Sequence, residues 1–120
     1  MYNIQLPSIA YKFASLIGLL ALVSGKVAAE PVACPTDFYQ LPLVPNATYC
    51  QIFDQDLPAS MSYFAALPQA EVKAFYLESL GQPDKDDTEH GRIVLLFKQG
   101  QHTVIISADG SGSQVDMLVK

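Results

Sequence analysis

The sequence predicts an α+β fold, a single helix packed on an antiparallel sheet of about four to five strands in the order β-β-α-β-β-β, with an N-terminal arm held by a disulfide. Three observations carry it. Val72, Phe75, Tyr76 and Leu80 fall at i, i+3, i+4 and i+8, the spacing of one helical face. Three apolar runs close the chain, RIVLLFK over 92–98, HTVIISA over 102–108 and QVDMLVK over 114–120, separated by turn-forming links. Only two cysteines occur, Cys34 and Cys50.

The chain opens with MYNIQLPSIAYK, charged at the amino terminus and Lys12, and then runs apolar from Phe13 to Val23 apart from Ser15. That length fits the roughly 7–15 residues of a secretory h-region and falls short of the ~20 that span a bilayer. Small residues at Val27-Ala28-Ala29 place cleavage before Glu30, so 1–29 is expected to be a signal peptide and the mature protein periplasmic or secreted. A lipoprotein signal ending at an acylated Cys34 is the weaker reading. Its triplet would be Pro31-Val32-Ala33, with proline where an aliphatic residue belongs and with Lys26 and Glu30 separating it from the apolar run.

Residues 30–47 form a proline-rich extended arm, because Pro31, Pro35, Pro42 and Pro45 each remove a backbone donor and restrict the residue before them. Phe38, Tyr39, Leu41, Leu43 and Val44 give the arm enough apolar surface to lie against the domain. In an oxidising compartment Cys34 and Cys50 are expected to pair, and closing a loop of about 16 residues stabilises by roughly 3 kcal/mol in the chain-entropy model. Asn46-Ala47-Thr48 matches a glycosylation sequon whose use depends on the host.

From 48 to 120 a single small α+β domain is expected. Tyr49, Cys50, Ile52 and Phe53 suggest one strand and MSYFAAL, 61–67, a second. In LPQAEVKAFYLESLG, Pro68 suits a helix start, Glu71 favours the positive end of the dipole and Gly81 supplies the stop. QPDKDDTEHG, 82–91, reads as a polar loop. The last three strands follow, and Val115, Met117 and Val119 share one face of QVDMLVK. Connections are short enough for a meander.

Counting from Glu30, twelve acidic residues face five basic ones, Lys73, Lys85, Arg92, Lys98 and Lys120. An acidic surface lacks the footprint that phosphate backbones require, so nucleic acid is not expected as a partner, nor is stable membrane insertion after cleavage. Asp84, Asp86, Asp87 and Glu89 invite a calcium reading. They lack the glycine of the sharp turn and the late bidentate glutamate, so a solvated loop is expected, and no metal or cofactor. His90 and His102 could serve a hydrolase, but no Gly-x-Ser-x-Gly elbow is present and no catalytic residues are assigned. Aromatic residues supply the core. Some of them, with His102, could instead line a groove between helix and sheet or a surface contact: Tyr63, Phe64, Tyr76 and His102 are the candidates.

The stretch AEVKAFYLESLG followed by RIVLLFKQG resembles a pattern in small exported bacterial α+β domains of unknown function, a Val-x-x-Phe-Tyr-x-x-x-Leu helix leading to three antiparallel strands. The likeness covers 45–120, implies the fold and brings no catalytic residue with it. The Cys34–Cys50 arm lies outside that pattern. The expected function is therefore a non-enzymatic binding or accessory domain of the bacterial envelope, taking a protein partner or apolar ligand. The alternative is a small inhibitor of a hydrolase that plugs an active site with the loop at 84–89 or at 109–113. Intact mass of the exported protein is expected to start at Glu30 and to lie about 2 Da below the reduced value, since a disulfide forms with loss of two hydrogens; a diacylglycerol-sized increment on Cys34 would contradict it.

Overall fold

Period-two alternation along the strands builds a sheet with one dry face, and the helix and the arm cover that face together. The computed structural model describes residues 33–120, so the leader expected over 1–29 lies outside the described residues. The elements are β1 Asp37–Phe38, β2 Leu41–Pro42, β3 Thr48–Phe53, β4 Ala59–Ala65, α1 Gln69–Leu80, β5 Lys85–Glu89, β6 Arg92–Phe97, β7 His102–Asp109 and β8 Gly112–Val119. β1 and β2 form a small hairpin within the arm. The other six strands make one antiparallel sheet in the order β3-β4-β8-β7-β6-β5. The α+β class, one helix among the described residues and the disulfide are as the sequence predicts.

The sheet has six strands rather than four or five because QPDKDDTEHG contains β5, not a loop. Every residue of β5 is exposed, so it carries no apolar alternation; its backbone pairs with β6 from Lys85↔Leu96 to Glu89↔Arg92. His90 and Gly91, at φ 53° and 79°, close that hairpin with the two left-handed residues that match the twist of the strands. The connectivity also refines the expected meander. β5 to β8 do run as one, but the β3-β4 hairpin joins it through β4 and β8, and α1 carries the chain across to the far edge.

In β4, Ala59, Met61, Tyr63 and Ala65 are buried while Ser60, Ser62 and Phe64 point to the other, open face. Registered against them in β8, Val115, Met117 and Val119 are buried, as the alternation predicts. The helix begins after Pro68, whose carbonyl accepts from Glu71 and Val72, and stops at Gly81, φ 87°, whose N–H bonds the Leu77 carbonyl. Val72 and Tyr76 are wholly buried, with Phe75 and Leu80 packed beside them on the face their spacing predicts. Gln69 Nε2 donates to the carbonyls of Gly91, 3.0 Å, and Ile106, 2.9 Å, and so fixes the start of the helix to the sheet.

The arm is more deeply embedded than its prolines suggest. Phe38, Leu41, Leu43 and Val44 belong to the core, and burying side chains of this size stabilises by roughly 1.5–3 kcal/mol each. Cys34 and Cys50 are bonded, with Cα atoms 5.5 Å apart. A polar chain runs through the same layer: Val44 N–H donates to Tyr63 Oη at 3.0 Å, the Tyr63 and Tyr76 hydroxyls are 2.6 Å apart, and Tyr76 donates to Met117 Sδ at 3.7 Å. With Tyr63 donating to Tyr76, every member is satisfied. Burial pushes both phenols up, Tyr76 additionally through Tyr63, so both stay neutral. Tyr63→Phe is expected to cost about 1–3 kcal/mol, because it strands the Val44 N–H and the Tyr76 oxygen, whereas Tyr76→Phe leaves only one buried hydroxyl proton unmatched and is expected to cost less. Urea denaturation of the two variants checks the order.

Candidate functional site

Of Tyr63, Phe64, Tyr76 and His102, the structure brings Tyr63 and Phe64 to one open cavity and sets Tyr76 and His102 elsewhere. Both tyrosines are at most 1% exposed, with their hydroxyls held between sheet, helix and arm, so Tyr63 meets the cavity only as a buried wall and Tyr76 does not meet it. His102 is buried at the start of β7, beside Phe97 and Val119 in register. Phe64 alone reaches the open face, because adjacent residues on a strand point to opposite sides. Helix and sheet close on each other because the core side chains interdigitate across the whole layer.

His90 and His102 lie at opposite ends of β6, one in an exposed turn and the other in the core, and among the described residues no carboxylate hydrogen-bonds either ring. The four acids of the 84–89 segment are likewise dispersed. Asp84 accepts from the Gln99 N–H at 2.6 Å, Asp86 pairs with Lys73 at 2.8 Å, and Asp87 accepts from the Thr88 N–H with Lys85 at 3.8 Å. Among the described residues no three His, Cys, Asp or Glu come together as a metal cluster. The two segments named above as inhibitory plugs are not projecting loops: 85–89 is β5, and β7 and β8 pair to Asp109↔Gly112, leaving only Gly110 and Ser111 as the turn.

The surface feature that stands out is β3. It is one edge of the sheet, and its span TYCQIF bears no charge, whereas the opposite edge, β5, reads KDDTE. Charges are one device that keeps a further strand off an edge, and a bulge is another. Of the six large apolar side chains that are exposed among the described residues, four lie in β3 or the turn after it, Tyr49 at 84%, Phe53 at 65%, Leu57 and Ile52, while Tyr39 and Leu118 lie elsewhere. A bulge between Thr48 and Gln51 sets two residues, Tyr49 and Cys50, opposite Tyr63, with Tyr49 at φ 55°. It swings the Tyr49 ring toward Phe64, centroids 6.4 Å apart at 68°.

Tyr49, Gln51, Ser62, Tyr63, Phe64, Asp109 and Gln114 line an open cavity of about 420 Å³ beside this strand. Its floor depends on Gly112, where a Cβ would lie 2.5 Å from Phe64 Cζ and 2.6 Å from the Ala65 carbonyl oxygen. The aromatic ring therefore occupies space that only glycine leaves. A second depression, about 520 Å³, lies among Ile52, Phe53 and the turn to Pro58. Sequence reasoning recognised Phe64 and missed Tyr49 as a surface residue; its signal was an aromatic residue beside a cysteine in an otherwise uncharged strand.

The chain matches no protein-family model, no curated protein and no solved structure.

Burial holds the His102 imidazole below its usual pKa, and Lys98 adds to the effect. The unfolded chain therefore takes up this proton at higher pH than the folded one. The stability that follows is complete above about pH 6.5 and is lost as pH falls from there toward the folded value. Urea midpoints measured between about pH 8 and pH 5 are expected to fall more steeply for the native protein than for His102→Gln.

Proposed function

We propose that this chain is an exported, non-enzymatic binding domain that contacts a partner protein through β3 and the adjoining open face. Export is supported by the charged and apolar leader and by the Cys34–Cys50 disulfide, which is at home in an oxidising compartment. Among the described residues no helix is long and apolar enough to cross a membrane. The single observation that carries the binding reading is the concentration of exposed Tyr49, Ile52 and Phe53 along one uncharged sheet edge, with Leu57 in the turn that follows. Contiguous apolar surface of this kind marks sites where water is displaced by a partner.

Site-specific photocrosslinking tests it. A benzophenone side chain replacing Phe53 is expected to yield adducts with another protein in the exported compartment, and the same group replacing Thr88 in β5 is expected to yield none. Equal adduct formation at the two positions overturns the reading. So does turnover of an ester, peptide or glycoside substrate by the purified protein that is lost in His90→Ala or His102→Gln.

A further inference from the structure

The Phe64 ring joins strands that the sheet order keeps apart. A Cβ on Gly112 would lie 2.5 Å from Phe64 Cζ, so the ring leans from β4 over the backbone of β8. Gly112 pairs in register with Asp109 of β7, and the ring therefore shares one cavity, about 420 Å³, with the Asp109 carboxylate. On its other side the ring meets Tyr49, centroids 6.4 Å apart at 68°, so two aromatic faces form a corner that opens to solvent. Gln51, Ser62 and Gln114 add neutral groups, and no lining residue is a cation. The two ion pairs among the described residues, Lys73–Asp86 and Lys85–Asp87, do not involve Asp109. Arg92, on β6, has Glu89 of β5 opposite it in register.

Two ring faces at a steep angle and a carboxylate without a counter-ion complement an organic cation. Each face carries the negative part of the aromatic quadrupole, and a cation within about 6 Å of a ring centroid is drawn to it. The openness of the cavity selects among cations. A primary ammonium is a compact, strongly hydrated charge that keeps its water at an exposed site. A quaternary ammonium holds water loosely and has methyl groups to lay against both rings, as it does in aromatic cages. Gln114 Nε2 is directed at both oxygens of Asp116, 3.3 and 3.2 Å, which leaves its Oε1 to accept from a hydroxyl on such a ligand. An anion would be repelled by Asp109, and an apolar molecule would desolvate that carboxylate without pairing it.

We propose that the cavity between Tyr49, Phe64 and Asp109 binds a quaternary ammonium group, carried by a small molecule or a lipid headgroup. The two rings hold the methyl groups and Asp109 balances the charge. This goes beyond the protein contact proposed above and does not rest on it, since Ile52, Phe53 and Leu57 take no part in the cavity.

Choline and 3,3-dimethylbutan-1-ol provide the probes, because the alcohol keeps the shape and has carbon in place of the charged nitrogen. Each is titrated into the exported, oxidised protein at matched ionic strength and followed by amide NMR shifts. Choline is expected to bind about tenfold more tightly than the alcohol. The shifts are expected around Tyr49, Phe64, Asp109 and Gln114 and not at Lys85–Glu89. Tyr49 is 84% exposed, so Tyr49→Leu keeps the fold. That variant and Asp109→Ser are each expected to weaken choline about threefold to fivefold and to change the alcohol little, while Asp87→Asn alters neither. Equal affinities for the two probes, shifts confined to other residues, or no choline binding at about 10 mM overturns the proposal. Sedimentation with vesicles then separates the two sources. Protein retained by phosphatidylcholine vesicles and released by free choline takes a lipid headgroup; protein that binds choline and is not retained takes a free cation.

Discussion

The Tyr63 hydroxyl sits where three parts of the molecule meet: it accepts from Val44 in the arm, belongs to the sheet, and meets Tyr76 of the helix at 2.6 Å. Each of these parts would otherwise bring one unmatched polar group into the core. The arm has a free N–H, the strand and the helix each a phenol, and the Tyr76 proton goes on to Met117 in the central strand β8. Apolar packing alone tolerates sliding, but a chain of directed bonds in a dry layer has one register. The position of the arm against β4, and therefore of the bulge that follows it in β3, depends on this contact.

The disulfide works at the other end of the same segment. Cys50 lies inside the bulge, between Tyr49 and Gln51, and its bond to Cys34 ties the bulge to the arm. A hydrogen-bonded anchor at Val44 and a covalent one at Cys50 thus bracket the turn through Asn46. Between them they determine where the Tyr49 ring points. For a domain this small, where the core is marginal, such anchors are a large part of what separates one structure from several.

The helix was legible because Val72, Phe75, Tyr76 and Leu80 needed only one spacing to declare a face, and β6 to β8 because apolar runs between tight turns have few other uses. β5 was illegible for the opposite reason. An edge strand with both faces in water has no apolar period to show, and Lys85–Glu89 is held only by backbone bonds to β6. The prolines of the arm advertised an extended chain but hid how much of it is core. At the site, strand parity separates Phe64 from Tyr63 and can be read from sequence. The meeting of Tyr63 with Tyr76, and of Tyr49 with Phe64, is made by the hairpin, the bulge and the packing of α1, and none of these is a local property.

Gly112 gives the open face an unusual dependence on the absence of an atom. The Phe64 ring rests where a methyl group would stand, and the Ala65 carbonyl closes the other side, so the ring has to give way where the backbone cannot. Most surface positions tolerate most residues, and their evolution is correspondingly free. At buried Gly112 even alanine, the smallest change available, must lift the ring and reshape the cavity floor, so the depth of the cavity is set at this one position.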